Sequence, residues 1–414
     1  MRRFLGSGVF ILIILLLDWY VFQAVRLVTQ GISPKWRTII YFVYWGITAV
    51  MVTVFLLGSF IHISDWPKQV RTYVLATLLG LFIAKFIAAI FFLVDDLRRL
   101  LYWGGGTVYY KYIADEHFDS GSISRSAFMS WLGIGIGTTL FGTLLFGYGN
   151  KYNYQVRKVK LHFPQLPESF RGLKIIQLSD IHAGSLTDIK GVDQGINMVN
   201  QLKPDLILFT GDLVNDRAVE MDLLKQSFAR LSAPMGVFSI LGNHDYGDYY
   251  PWPNLEMKAA NLERLKEIQK EMGWRLLLNE HIILEKDGDK LALLGVENWG
   301  AKANFKRYGK LAEAYAGCEH IPFKILMSHD PSHWDAEVKN YSDIHLTLSG
   351  HTHGMQFGLE IPGFKWSPVQ YVYRQWAGKY EEGVQKLYVN RGFGFLGYPG
   401  RVGILPEITY IELV

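Results

Sequence analysis

Residues 173–182 read LKIIQLSDIH, an apolar run that ends in the polar turn Ser-Asp-Ile-His. The same pattern, a short apolar run followed by a polar tip, recurs through the second half of the chain. It is found in DLILFTGDL (205–213), GVFSILGNHD (236–245), KLALLGVEN (290–298), FKILMSHDP (323–331) and DIHLTLSGHTHG (343–354). Amphipathic segments lie between the first three runs, near 188–202, 219–231 and 254–272. Apolar strands of about 4–8 residues that alternate with helices predict an α/β domain with largely buried strands.

Side chains suited to metal binding stand at the carboxyl-terminal tips of these predicted strands. They are Asp180, His182, Asp212, Asn243, His244, Asp245, His329, His351 and His353. In open α/β sheets, ligands bind beyond the carboxyl ends of the strands, so the tips are expected to converge on one site. Carboxylate, amide and imidazole donors without a thiolate suit Mn, Fe or Zn. The pattern therefore predicts a site for two divalent ions of unspecified identity.

The order of these groups resembles the signature of the calcineurin-like metallophosphoesterases. The matching fragments are D-x-H at 180–182, G-D at 211–212, G-N-H-D at 242–245, His329, and G-H-T-H at 350–353. The resemblance covers roughly residues 170–414 and implies a four-layer αββα sandwich with a two-metal site. One departure is Asn215, where many relatives have an aspartate, although metal binding does not depend on that position.

The tail is similar to a narrower branch of that family, the membrane-anchored bacterial phosphodiesterases and transmembrane proteins with a metallophosphoesterase domain. The similarity lies in H-G-M-Q (353–356), L-Y-V-N-R-G (387–392) and P-E-I-T (406–409). Some members of that branch cleave the pyrophosphate of UDP-2,3-diacylglucosamine. A substrate of this kind is therefore an expectation for this chain.

The resemblance also implies a role for each residue of the cluster. The first metal would be held by Asp180, His182 and His353, and the second by Asn243, His329 and His351, with Asp212 bridging. His244 would stabilise the transition state or protonate the leaving oxygen. Asp245, beside it, would orient that imidazole or fix its charge.

The segment RGFGFLGYPGR (391–401) is rich in glycine and aromatic residues and is bounded by two arginines. One interpretation is that Arg391 or Arg401 binds a substrate phosphate while the aromatic side chains meet an acyl chain or the bilayer. The other is a packed loop between the last two strands. A second aromatic stretch, Trp366 to Trp376, suits a membrane-facing or substrate-lining segment, and core packing is equally compatible with it.

Hydrophobicity is concentrated before residue 150. Four stretches, near 4–25, 38–61, 73–94 and 127–148, are long enough to cross a hydrocarbon core of about 30 Å. The sequence thus predicts a transmembrane anchor over 1–150 and a phosphoesterase domain over 151–414. Asp18 and Lys85 fall inside the spans, where such charges serve either a relay or substrate path or, more simply, a helix–helix ion pair or snorkelling.

Composition excludes several classes of protein. The formal net charge of +4 is too small for nucleic-acid binding, and the single cysteine, Cys318, excludes an intrachain disulfide framework and cysteine-rich metal sites. Basic residues flank the spans almost evenly on both sides. Residues 124–129, SRSAFM, look like a twin-arginine export signal without its second arginine, which favours an extracytoplasmic catalytic domain.

These observations together predict a membrane-bound, two-metal phosphohydrolase, a phosphodiesterase or pyrophosphatase acting on a lipid-linked substrate such as UDP-2,3-diacylglucosamine. One alternative is an extracytoplasmic cell-envelope phosphatase acting on soluble or polymer phosphates. Another is a transporter or sensor with an accessory phosphoesterase domain. The sequence leaves the oligomeric state open.

Overall fold

The computed structural model describes residues 2–61, 66–112, 125–302 and 305–414. Its internal contacts divide the chain into two units, Met1–Phe146 and Gly147–Val414. Long helices build the first unit. They are α1 (Arg2–Val28), α2 (Pro34–Phe60), α3 (Lys68–Tyr112) and α4 (Arg125–Gly147).

Each long helix contains a segment that is long and apolar enough to cross a membrane. These segments are Gly8–Val28, Pro34–Gly58, Lys68–Leu101 and Ser126–Asn150, which confirms the predicted four spans. Helix α3 runs well past the predicted 73–94 because the apolar run marks only its hydrophobic part. Beyond that run, Arg98 and Asp95 form an ion pair one turn apart, with Nη2 and Oδ1 at 3.0 Å, which supports a helix in a polar segment. Ser124 of the export-like motif lies outside the described residues.

The two charges inside the spans contact each other. Lys85 Nζ donates to both carboxylate oxygens of Asp18 at 2.8 Å, and both side chains are buried. Thr48 also donates to this carboxylate, and the Tyr44 hydroxyl donates to the Asp18 carbonyl at 2.7 Å. The cluster joins α1, α2 and α3, so the structure supports the helix–helix ion pair.

Two six-stranded sheets form the centre of the second unit. In chain order, the strands are β1 (Gln155–Leu161), β2 (Lys174–Leu178), β3 (Leu206–Phe209), β4 (Val237–Ser239), β5 (Arg275–Leu276), β6 (Glu280–Lys286), β7 (Asp289–Gly295), β8 (Lys324–Met327), β9 (Ile344–Ser349), β10 (Leu359–Ile361), β11 (Phe364–Trp366), β12 (Gly378–Glu382), β13 (Gln385–Val389) and β14 (Glu407–Leu413). The first sheet has the order β1-β14-β2-β3-β4-β5 and the second β12-β13-β9-β8-β7-β6, while β10 and β11 form a separate hairpin.

Helices cover the outer face of each sheet. They are α5 (Ile189–Gln201), α6 (Lys225–Phe228), α7 (Leu255–Glu271), α8 (Leu311–Tyr315) and α9 (Ser332–Ala336). Successive residues of a strand point to opposite faces of its sheet. Ile175 packs between the two sheets, whereas Ile176 packs on the outer side with Ile196 of α5. On the second sheet, Leu326 packs outward with Leu311 of α8. The predicted αββα sandwich is confirmed.

Parallel pairing brings the polar tips together. Strands β2, β3 and β4 are parallel neighbours in the first sheet, as are β8, β9 and β13 in the second. All strands of one parallel set have their carboxyl ends at the same edge. The tips that follow them form the site described next.

Candidate metal centre

Hydrogen bonds between backbone groups join the polar tips. The amide of Asp180 donates to the Gly211 carbonyl at 2.9 Å, and that of Gly350 donates to the His329 carbonyl at 2.9 Å. Gly350 is required at its position, because a Cβ there would lie 2.2 Å from an oxygen of Asp180. Five cluster residues have the left-handed backbone conformation that non-glycine residues rarely adopt, namely Asp180, His182, Asp212, His351 and His353, with φ between 48° and 72°. Strain of this kind persists where the surrounding structure enforces it, often at functional sites.

Asp180, His182 and His353 form one cluster of potential ligands. The Nε2 atoms of His182 and His353 lie 3.0 Å apart, and His353 Nε2 lies 3.3 Å from Asp180 Oδ1. All three residues are buried. The amide of His351 donates to both carboxylate oxygens of Asp180 at 3.0 Å and fixes that side chain. One donor atom from each of the three residues lies within 4.8 Å of the others, as a single ion requires.

A second cluster contains His329, His351 and Asn243. His329 Nε2 lies 3.2 Å from Asn243 Oδ1 and 3.3 Å from His351 Nδ1. The amide of Asn243 is oriented by Tyr249, whose hydroxyl accepts from Nδ2 at 3.0 Å. The amide oxygen therefore faces the two imidazoles.

Asp212 lies between the two clusters. Its Oδ2 is 3.5 Å from His182 Nε2 on one side and 3.2 Å from His329 Nε2 on the other. Its Oδ1 accepts from the His244 amide at 2.9 Å, which leaves Oδ2 directed into the site. The carboxylate thus has the position that a bridging ligand needs.

Burial and mutual charge set the protonation of these groups. Burial lowers the pKa of His182 to about 3, so its imidazole is neutral. Burial raises the pKa of Asp180 to about 6, although the nearby His329 opposes this. For His329, burial is outweighed by the carboxylate of Asp212, which raises the pKa to about 10. Burial would raise the pKa of Asp212 as well, but the imidazoles around it hold it well below its usual value. His182 therefore offers a neutral nitrogen donor, whereas His329 is protonated beside the ionised Asp212 and would lose that proton when a cation binds.

His244 lies at the rim of the centre and is half-buried. Its Nδ1 donates to the Asn215 carbonyl at 2.7 Å, a bond that fixes the imidazole and leaves Nε2 for other contacts. The ring centroid is 4.9 Å from that of His182 and 4.7 Å from that of Tyr249. Asn215, which departs from the family pattern, therefore acts here through its backbone.

Asp245 does not orient His244, so that prediction is wrong. Its Oδ2 accepts from the amides of Gly242 and Asp212 at 2.9 Å, and its Oδ1 from the amide of Leu213 at 2.8 Å. The carboxylate is fully buried beneath the turn. It stabilises the backbone that carries Asp212, while Nδ1 of His244 is bonded to the Asn215 carbonyl instead.

The prediction that Arg391 or Arg401 binds a substrate phosphate is also wrong. Arg391 is buried and paired with Glu407 at 2.6 Å and with Glu360 at 2.7 Å. Arg401 has no exposed surface and donates to the carbonyls of Arg391 (2.7 Å), Gly392 and Gly394. Both guanidinium groups are buried away from the surface that a substrate phosphate could reach. The segment is the packed loop that was the alternative interpretation, and Phe393 and Phe395 are core residues within it.

Two further side chains support the second cluster. The Tyr373 hydroxyl lies 3.0 Å from His351 Nε2 and donates to Asp330 Oδ2 at 3.2 Å. Hydrogen bonds of this kind orient a ligating histidine from behind. Neither residue was predicted as part of the site: Tyr373 lies in the second aromatic stretch, and Asp330 directly follows His329, which is the only sequence signal for it.

Comparison with known proteins matches both units. A family described as "Probable Calcineurin-like phosphoesterase, transmembrane domain" matches residues 1–150, and "Calcineurin-like phosphoesterase" matches residues 173–355. The metallophosphoesterase YkuE of Bacillus subtilis, itself uncharacterized, is 32% identical over 253 residues, which are 60% of this chain and 81% of that protein. Phosphodiesterase YaeI of Escherichia coli is 27% identical over 248 residues, 58% of this chain and 82% of its own.

Two vertebrate relatives are named for both a transmembrane region and a metallophosphoesterase domain. The "Transmembrane protein with metallophosphoesterase domain" of Danio rerio is 30% identical over 266 residues, or 63% of this chain. The match spans only 57% of that protein, and 56% of its Bos taurus counterpart. The fold, the converging tips and these similarities lead to one conclusion: the chain belongs to the calcineurin-like metallophosphoesterases, as a multi-pass membrane member of that family.

Proposed function

We propose that the centre binds two divalent cations, one held by Asp180, His182 and His353 and the other by Asn243, His329 and His351. The observation that carries the proposal is Asp212 Oδ2, which lies within 3.5 Å of a ligand from each cluster. The donor set fits such ions, because it combines buried carboxylates with imidazole nitrogens and contains no thiolate. When bound, two ions supply Lewis acidity and lower the pKa of a water molecule.

The protein contributes position and a proton in this proposal. Asp212 is fixed through Oδ1, so Oδ2 is available to both cation sites without rearrangement. His244 is held through Nδ1. Its Nε2 either donates a proton to the leaving oxygen or donates a hydrogen bond to the phosphoryl oxygen on which negative charge develops. Asp245 and Tyr373 serve these groups indirectly, through the backbone and the hydrogen bonds described above.

We further propose that the reaction is hydrolysis of a phosphodiester or pyrophosphate in a lipid-linked substrate, with UDP-2,3-diacylglucosamine the first to test. Support comes from the membrane spans, since an enzyme held in the bilayer meets bilayer-resident substrates at high effective concentration. The phosphodiesterase name of the Escherichia coli relative favours a diester.

The test uses the full chain in lipid nanodiscs with added Mn²⁺, and Asp212→Asn as the matched control. Substrates are p-nitrophenyl phosphate, bis(p-nitrophenyl) phosphate and UDP-2,3-diacylglucosamine. The proposal expects metal-dependent turnover of the diester and the lipid, which chelation and Asp212→Asn abolish. Turnover that is unaffected by chelation and by Asp212→Asn would contradict the proposal that the reaction depends on bound metal. Preference for the monoester removes the diester assignment.

A reporter fused after Val414 determines which side of the membrane carries the catalytic unit. A cytoplasmic result keeps UDP-2,3-diacylglucosamine as the substrate. An extracytoplasmic result, which the motif at 124–129 favours, excludes that nucleotide-linked lipid and points to envelope lipids or to soluble and polymer phosphates.

A further inference from the structure

The β10–β11 hairpin is built with its polar face inward and its apolar face outward. The register pairs Leu359 with Trp366 and Ile361 with Phe364, so these four side chains share one face. Leu359, Ile361 and Phe364 are each about half exposed, at 49%, 52% and 52%. Tyr371 extends the same face, because its hydroxyl accepts from Trp366 Nε1 at 3.4 Å. We call these five residues the apolar hairpin face.

The opposite face of the hairpin points into the domain. Glu360 accepts from Arg391 and from Arg157, each at 2.7 Å. Lys365 donates to the Ala377 carbonyl and to the Tyr380 hydroxyl. The usual arrangement for a protein surrounded by water is the reverse, with charges outside and apolar side chains inside. Because both charged side chains have their partners inside the domain, the hairpin is fixed in the orientation that exposes its apolar side.

Hydrogen bonds connect the hairpin to the residues that end the fourth membrane span. That span ends at Asn150, and its residue Gly147 accepts from the Arg401 amide at 2.9 Å. The next residue, Val402, pairs with the strand that enters the hairpin: its carbonyl accepts from the Gly358 amide at 2.9 Å. Within the catalytic unit, the hairpin is therefore attached where the chain leaves the bilayer.

Composition also suits a lipid surface. Trp366 and Tyr371 are residue types that prefer the membrane–water interface, where the ring is buried and its polar atom stays hydrated. The exposed Arg374 follows closely in the chain, and Glu360, the one acidic residue of 355–374, faces inward. The outward surface thus presents apolar and basic groups, as a bilayer with anionic headgroups requires.

From these observations we propose that the apolar hairpin face docks in the interfacial region of the bilayer that holds the four helices. The face lies close to the metal centre in the chain, because Tyr373, two residues beyond Tyr371, contacts His351. Docking there opens the centre to phosphoesters at the membrane surface. The docking itself does not depend on the proposed reaction.

The experiment measures lipid contact at single labelled sites in the full chain. The only cysteine, Cys318, is buried, and Cys318→Ser keeps its bond to the Tyr315 carbonyl. In that background, Leu359→Cys and Phe364→Cys are each labelled with the fluorophore NBD. Val384→Cys is the matched control, because Val384 is 47% exposed but precedes β13, at the end of the second sheet remote from the metal centre. Nanodiscs contain phosphatidylcholine and phosphatidylglycerol, with or without lipids spin-labelled near the headgroup.

We expect a blue shift and loss of most NBD emission at positions 359 and 364 when spin-labelled lipid is present, with position 384 unchanged. Emission that is unquenched at 359 and 364 overturns the proposal. A blue shift without quenching also overturns it, since protein and not lipid then covers the face. The labelling experiment does not measure hydrolysis, so quenching at 359 and 364 combined with no turnover in the enzyme assay would contradict only the proposed function.

Discussion

Replacing either partner of the Arg391–Glu407 pair tests whether that arginine is structural. Glu407 is fully buried and accepts from Arg391 Nη1 at 2.6 Å, from the Tyr388 hydroxyl at 2.7 Å and from the Thr409 hydroxyl at 2.6 Å. Arg391→Met would leave this carboxylate with Arg157 alone, whose Nε lies 3.8 Å away. Glu407→Gln would leave the guanidinium with Glu360 alone.

Removing one partner of a buried ion pair costs about 3–5 kcal/mol. For Glu407→Gln we expect the lower end, about 3 kcal/mol, because Glu360 remains 2.7 Å from Arg391. At about 2–4 °C per kcal/mol for a domain of this size, the unfolding temperature falls by about 6–12 °C. Arg391→Met is expected to cost a similar amount, because Arg157 stays 3.8 Å from Glu407. The double variant should recover part of the loss, because it removes both charges.

The same pair makes stability depend on pH. Burial alone would raise the pKa of Glu407, but Arg391 outweighs it and holds the pKa below its ordinary value of 4.5. The folded pKa is thus below the unfolded one, so the stabilisation is complete above pH 4.5 and is lost as the pH falls further. The unfolding temperatures of the parent and of Glu407→Gln should converge in acid.

The assay is thermal unfolding in nanodiscs, followed by tryptophan fluorescence, combined with kinetics on bis(p-nitrophenyl) phosphate well below the transition. The structural role predicts a lower unfolding temperature for Arg391→Met with an unchanged KM. An unchanged unfolding temperature with a raised KM would refute it and restore the phosphate-binding interpretation.

Three further predictions concern the metal centre and the membrane unit. His244→Ala should lower kcat by about 10²–10⁴-fold with the metal content kept, measured by kinetics and elemental analysis; parental turnover would disprove its role. Tyr373→Phe should weaken metal affinity about 10–100-fold, because His351 loses its supporting hydroxyl, and a metal titration with unchanged affinity would contradict this. Asp18→Asn should destabilise the helices by about 2.5–3.5 kcal/mol, as it leaves the Lys85 ammonium buried without a counter-charge. Adding Lys85→Met should restore most of the unfolding temperature, and a further loss in the double variant would contradict the ion pair.

The four membrane helices and the α/β sandwich could be predicted from the sequence alone, as could the convergence of the polar tips. These features depend on local patterns: apolar runs of membrane-spanning length, and polar tips at the ends of short apolar strands. Because parallel strands carry their carboxyl ends to one edge, candidate ligands such as Asp180 and His353 were expected to lie together before any contact was known.

The roles of the charged residues next to the site depend on tertiary contacts. Asp245 adjoins His244 in sequence, yet successive side chains in a turn point in different directions, and it bonds the backbone beneath Asp212. Arginine is a residue type that often binds phosphate, but the guanidinium of Arg391 is paired with Glu407 and Glu360, which lie elsewhere in the chain. Likewise, the outward face of the β10–β11 hairpin follows from where its two half-buried charged side chains, Glu360 and Lys365, find partners. Partners of this kind lie far away in sequence, so no local pattern specifies them, and they are set by how the strands and loops pack.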